Sequence, residues 1–260
     1  MTDLVLVTHG TREYTGALVA ADIVVALRTA LPGVRVHRAF ADVRAPNVTD
    51  VLRAVRVPAV VVPAFLSSGY HVRVDIPGQV ARSGHPDVVL ADPPGPAAAL
   101  VDAAHDRLRA AGLRRGDGVV LAAAGSSDSR ALADVERAAA QLSTRTGSAV
   151  RIGYLTTARP SLAEAVAGVG RRVAVASWLL APGLFHRWVT RCGAPVIADP
   201  IGAHPLLVKE LAARYRAACA HRTTARTDDH YVTGTATVSC WRHRDLRRRQ
   251  AWEATPTLWP

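Results

Sequence analysis

Cysteine is scarce in this chain: Cys192, Cys219 and Cys240 are the three present, and no CxxC pair occurs. That counts against a disulfide scaffold, a zinc ribbon and an ordinary iron–sulfur cluster, and makes a reducing cytoplasm the expected setting. Aromatic residues are few, at 5%, and none interleaves with basic residues as a base-stacking motif would. No apolar run reaches the ~18 residues a membrane helix needs. The opening MTDLVLVTHGT has no basic n-region, so a secretory leader is not expected. No GxGxxG follows a strand and no GxxxxGK[ST] occurs, which removes the usual dinucleotide and P-loop fingerprints. No strand-to-helix turn carries GxSxG, which disfavours an α/β-hydrolase.

Basic charge is plentiful. The 260 residues carry a formal net charge of +11, and Lys209 is the one lysine among 32 basic residues. Such an arginine bias reflects either a GC-rich coding bias or a polyanionic partner, because a basic field concentrates anions. Nucleic acid is one such partner, but the arginines are scattered, and a small polycarboxylate or phosphate fits equally well. With 49% hydrophobic and 20% charged residues, the chain can bury a core as one large domain or two small ones.

Short apolar runs alternate with Ala-rich helical stretches. LVLVT from Leu4, VRVHRAF from Val34, VPAVVVPAF from Val57 and DVVLAD from Asp87 read as strands, with segments such as GALVAADIVVALRTAL between them. Continuous apolar strands between amphipathic helices indicate a parallel sheet covered on both faces. The order then recurs from Val119, Val150, Val173 and Pro195. Gly10 matches Gly125 at an offset of 115, Pro46 matches Pro160 at 114, and Gly69 matches Gly183 at 114. This internal repeat predicts an α/β fold of two similar lobes. Each is a parallel four-stranded sheet flanked by helices, about 1–113 and 114–220, and the two face each other across a cleft. From His221 the apolar pattern dissolves, so 221–260 is expected to be a basic, disordered tail.

Ligand sites in such sheets lie at the carboxyl ends of the strands. The first strand runs into His9-Gly10, the second into Asp42, and the third into a Gly-containing loop that ends at His71. Taken singly, His9 is equally a loop histidine and Asp42 equally a turn cap. Together, two imidazoles and a carboxylate at one sheet edge form a ligand set for divalent iron, cobalt, nickel or zinc, and they can accept protons. In the repeat, Ala124 stands for His9 and Thr156 for Asp42, while His186 is read as the counterpart of His71. The site, if present, then belongs to the first lobe. Ala123 to Ser129, AAGSSDS, is either a small anion-binding turn or an N-cap cluster.

These motifs resemble a known family. LVLVTHGTR is similar to the opening of the class II chelatases, PAFLSSGYHVRVDIP to their second histidine motif, and ADPIGAHPLLVKEL to their closing segment. The resemblance covers about residues 3–218 and is to the sirohydrochlorin chelatases. It implies that His9 and His71 are metal-binding and catalytic. Asp42 falls where the family commonly has glutamate, with an arm one methylene shorter. It also implies a substrate carrying eight carboxylates. Arg12, Arg44, Arg73 and Arg159 near the strand ends would help hold it, with Tyr70, Phe65 and His186 against the macrocycle. No tightly bound cofactor is implied, because ferrous iron or cobalt is itself a substrate.

A chelatase must hold a hydrated metal weakly, strip its waters and remove two pyrrole protons, which requires an open, incomplete ligand set. The expected reaction is insertion of ferrous iron into sirohydrochlorin. Cobalt insertion towards cobalamin and a non-catalytic tetrapyrrole or metal carrier are the alternatives. Neither a nucleic-acid nor a membrane partner is expected, and the assembly is expected to be a monomer or weak homo-oligomer.

Overall fold

A parallel strand covered on both faces must be apolar along its whole length, and Leu4, Val5, Leu6 and Val7 are all fully buried. Alternate side chains serve different cores: Leu4 and Leu6 face one, Val5 and Val7 the other. The computed structural model describes the backbone of residues 1–228 and the side chains of residues 1–222. Strands β1 (Asp3–Thr8), β2 (Val36–Phe40), β3 (Ala59–Pro63) and β4 (Val88–Leu90) form one parallel sheet in the order β2-β1-β3-β4. Strands β5 (Gly118–Ala123), β6 (Val150–Tyr154), β7 (Val173–Trp178) and β8 (Val196–Ile197) repeat it in the order β6-β5-β7-β8. The registers correspond as well: Thr8 pairs with Phe40, and Ala123 with Tyr154.

The helices are α1 (Tyr14–Ala30), α2 (Val48–Ala54), α3 (Ile76–Ser83), α4 (Ala98–Ala110), α5 (Ser129–Thr146), α6 (Leu162–Ala167), α7 (Leu184–Thr190) and α8 (Pro205–Asp228). A central core unites one face of each sheet with α1, α4, α5 and α8. The outer face of the first sheet packs on α2 and Ile76 of α3, and that of the second on α6 and Val189 of α7. Caps set the short helices. Asn47 accepts from Asp50 N at 2.9 Å at the start of α2. Ser161 and Glu164 form a reciprocal capping box on α6. The Ser161 backbone N–H, then its hydroxyl, then Arg159, hold the Glu164 carboxyl down at about 2. Asp128 caps α5 and Ser126 Oγ accepts from Asp128 N, so AAGSSDS forms an N-cap cluster.

The two sheet-bearing halves of the sequence also reach into each other. Helix α4, from the first half, packs against β7 of the second, and its Arg107 donates to the Ile201 carbonyl at 2.9 Å. In return, α8 reaches the first half: Tyr215 Oη donates to Thr2 O at 2.7 Å and Arg216 to Ala30 O at 3.1 Å. Residues 1–223 thus cohere as one compact unit. Helix α8 also runs past the boundary expected at 220, and Arg222 within it pairs with Asp87. The rest of the expected tail, residues 229–260, lies outside the described residues. Among the described residues no helix is long and apolar enough to cross a membrane.

One close approach occurs in both halves. Gly10 adopts φ +95°, and a Cβ there would lie 2.3 Å from the Asp42 carbonyl oxygen. Gly125 adopts φ +90°, with its Cβ position 2.2 Å from Thr156 O. In each half the loop after the central strand therefore crosses directly over the loop after the edge strand. Val43 and Thr157, just beyond, take positive φ values of 66° and 41°. Gly125→Ala should cost more than ~1 kcal/mol, since both conformation and contact oppose a side chain, and lower Tm by at least ~2–4 °C. Gly84→Ala, with positive φ but nothing within 4 Å, should cost less. Equal losses on thermal unfolding would show that the crossing itself is not a constraint.

Candidate metal centre

His9, Asp42 and His71 come together at the carboxyl edge of the first sheet. One ligand atom from each lies within 4.8 Å of the others. Donors bound at about 2.1 Å to one tetrahedral ion stand roughly 3.4 Å apart, so a closure of at most about 1.4 Å completes the set. The backbone builds this geometry. Asp42 N donates to His9 O at 3.0 Å, tying the ends of β1 and β2 together over Gly10. His71 opens a single π-helical turn, His71–Asp75, that leads into α3; such turns recur at functional sites. The imidazoles of His9 and His71 meet edge to face, with centroids 4.5 Å apart.

The hydrogen bonds of these residues leave metal-binding lone pairs free. His9 Nδ1 lies 3.0 Å from the Gly10 carbonyl, which can only accept. His71 Nδ1 lies 3.1 Å from Asp75 Oδ2, also an acceptor. In the neutral form of each histidine the proton therefore sits on Nδ1, which leaves Nε2 as the nitrogen that can bind a metal. Asp42 Oδ1 accepts from Val43 N at 2.7 Å, leaving Oδ2. His9 and Asp42 are exposed and His71 half-buried, so three protein donors leave room for water or substrate on the ion.

Two residues that sequence reasoning missed hold this arrangement. Gln79, 6% exposed, donates from Nε2 to Asp75 Oδ1 at 3.1 Å and to Ala41 O at 2.7 Å, and its Oε1 accepts from Val48 N at 3.0 Å. Its one amide thus ties the His71 helix, through Asp75, to the residue preceding Asp42. The signal was present in the spacing: His71, Asp75 and Gln79 recur every four residues, on one helix face.

Beside the centre opens a cavity of about 670 Å³ between the two sheets, with His9, Phe65 and Leu66 on one side and Ala124, Trp178 and Phe185 on the other. The volume suits an organic ligand, and the lining is largely apolar. Thr8 Oγ1 and Trp178 Nε1 are buried in its wall without a hydrogen-bond partner among the described residues. Arg12 lines the cavity, joined by Glu13 and Arg187, which the sequence had not singled out. Arg44, Arg73, Tyr70 and His186 do not line it. Tyr70 is 64% exposed, with its ring 5.9 Å from His71. Arg159 turns to Glu164 at 3.1 Å.

The repeat register needs a correction at His186. Arg73 N bonds Gly69 O, and Arg187 N bonds Gly183 O. Those glycines align, so Phe185 is the counterpart of His71, and His186 that of Val72. His186 Nε2 is buried without a hydrogen-bond partner among the described residues. Thus Ala124, Thr156 and Phe185 replace the ligand set, and the second half gives the cavity an apolar wall.

The structure thus pairs two four-stranded parallel sheets and sets three candidate ligand side chains at the edge of one of them. The chain belongs to the CbiX family, whose sequence model matches residues 3–111 and 118–218. No curated protein matches the chain. Among solved structures, SirB from Bacillus subtilis with Fe3+ superposes with a TM-score of 0.74 at 22% identity, covering 86% of this chain and 97% of that one. SirB from Bacillus subtilis subspecies spizizenii in complex with cobalt gives 0.73 at 21% identity, covering 86% and 97%. CbiX, described as the terminal enzyme for biosynthesis of siroheme in denitrifying bacteria, gives 0.64 at 19% identity, covering 83% and 99%. At these identities the likeness is one of fold.

Asp75→Asn keeps the side-chain shape but can offer an N–H to His71 Nδ1. Gln79→Glu cannot donate to Ala41 O and sets a second carboxylate against Asp75. Each should weaken Co2+ binding by about 10–100-fold, the usual effect of losing a group that orients a metal ligand. Titration followed by the visible absorption of bound Co2+ checks this, and wild-type affinity in both variants would refute the orienting role.

Proposed function

We propose that the protein inserts ferrous iron into sirohydrochlorin, releasing two protons and forming sirohaem. The observation that carries this reading is the convergence of His9, Asp42 and His71 ligand atoms within 4.8 Å, beside an apolar cavity with room for an organic ring system. Membership of the CbiX family supports it, as does the fold shared with SirB and CbiX.

The chemistry follows from the ligand set. Two imidazole nitrogens and one carboxylate oxygen bind a divalent ion less tightly than a closed four-ligand cage, so the ion can leave. Each metal–protein bond formed displaces a water. The apolar walls keep the macrocycle's faces dry, which strengthens attraction between the ion and the ring nitrogens. As those nitrogens replace the protein donors, their two protons pass to nearby bases. The imidazoles and Asp42, once free of metal, serve as acceptors. Atoms and charge balance: one dication enters and two protons leave.

Cobalt insertion is a second reading, because imidazole and carboxylate donors accept Co2+ as readily as ferrous iron. The cobalt-bound SirB of the same fold favours keeping it. His9→Ala and His71→Ala should each lower the insertion rate by at least ~100-fold, combining lost metal binding with lost proton transfer. Far-ultraviolet circular dichroism should be unchanged. Near-normal turnover in both variants would remove these histidines from the mechanism.

A further inference from the structure

We infer that Arg187 binds a carboxylate of the tetrapyrrole from the second half of the protein, and that Glu13 occupies its guanidinium until the ligand arrives. The inference rests on the tetrapyrrole reading above.

Glu13 is the residue just before α1, and its side chain caps no backbone N–H of that helix. It is instead turned to the cavity wall, where Arg187 of α7 meets it from the other half, with Nη1 2.8 Å from Oε1. That oxygen is buried and makes no hydrogen bond of good geometry among the described residues. Among the described residues, Arg187 is the ion-pair partner of Glu13. The pair is therefore exchangeable: its contact at Oε1 is held by Coulomb attraction without the aligned N–H···O bonds that make arginine–carboxylate pairs strong.

Arg187, whose side chain is 57% exposed, lines the cavity within reach of an incoming anion, and Glu13 is its partner in the empty protein. An incoming carboxylate replaces one acceptor by another, so Arg187 stays paired throughout. Glu13, whose side chain is already 27% exposed, then turns to solvent. The loops around the pair are close enough to hold it in register. A Cβ on Gly16 would lie 2.6 Å from Pro182 O, and one on Gly183 would lie 3.2 Å from Thr11 Oγ1.

The repeat supplies a comparison. Arg187 is the counterpart of Arg73, four residues beyond the matching glycine. Both arginines are exposed, but Arg73 lies off the cavity and makes no ion pair among the described residues, whereas Arg187 lines the cavity and pairs with Glu13.

The two members of an exchanging pair must respond to substitution with opposite sign. A plain strut between the halves would have both substitutions act in the same direction. Sirohydrochlorin binding can be followed without metal by quenching of tryptophan fluorescence, since Trp178 lines the cavity. Arg187→Gln should weaken binding by about 10-fold or more, the effect of losing one charge-assisted contact. Glu13→Gln should tighten it by several-fold, because Arg187 is then free. Adding Glu13→Gln to Arg187→Gln should bring no gain. If Arg187→Gln does not fold, Arg187→Lys replaces it and should give an intermediate loss, since it keeps the charge without the fork.

Weaker binding in Glu13→Gln, or wild-type binding in Arg187→Gln, overturns the exchange. A wild-type protein that binds and metallates sirohydrochlorin while the variants fail this pattern loses only the exchange. A wild-type protein that does not bind sirohydrochlorin removes the function reading, and the exchange with it.

Discussion

The site depends on one close crossing of backbone. Asp42 N donates to the His9 carbonyl at 3.0 Å, and Gly10 passes beneath the Asp42 carbonyl with no space for a Cβ. Parallel strands of one sheet end side by side, but their following loops normally diverge into separate helices. Here the missing side chain of Gly10 lets the two loops touch, which brings an imidazole and a carboxylate from different strands within reach of one ion. Gln79 then fixes the third ligand to the same frame, because its amide holds both Asp75 and the carbonyl of Ala41. Geometry is thus set by backbone contacts and one buried amide, while the ligands themselves stay accessible.

The same crossing is present in the second half, at Gly125 and Thr156, yet it carries no ligands. The frame and the chemistry are therefore separable. One copy keeps donors for a metal, and the other presents Ala124, Phe185 and Trp178 as wall. This asymmetry suits a reaction between a small hydrated ion and a large flat ligand, since each needs a different surface. Exchange of α4 and α8 between the halves holds the two surfaces together, as Arg107 and Tyr215 bond across the divide.

Much of this was legible in the sequence because strands buried on both faces must be continuous apolar runs, and the carboxyl ends of such strands point to one edge. His9, Asp42 and His71 were singled out that way, and their ligand atoms lie within 4.8 Å of one another. The features that were not legible depend on distant packing. Nothing local marks α4 as belonging against β7, or Glu13 as meeting Arg187. At His186 the identity of a histidine outweighed the glycine that sets the true register, shifting the repeat by one residue. Gln79 was missed because a polar residue on a helix is ordinarily solvated, and only the fold shows it buried.

The central claim is that these residues act on a metal that is passed on, not stored. Its most direct measurement is an anaerobic incubation of the wild-type protein with excess sirohydrochlorin and Fe2+, Co2+ or Ni2+, followed by absorption spectroscopy. The account predicts many equivalents of metallated product per chain, formed faster than by metal alone, with ferrous iron among the ions accepted. Binding of a single equivalent with no acceleration over the protein-free reaction would contradict it and leave a carrier.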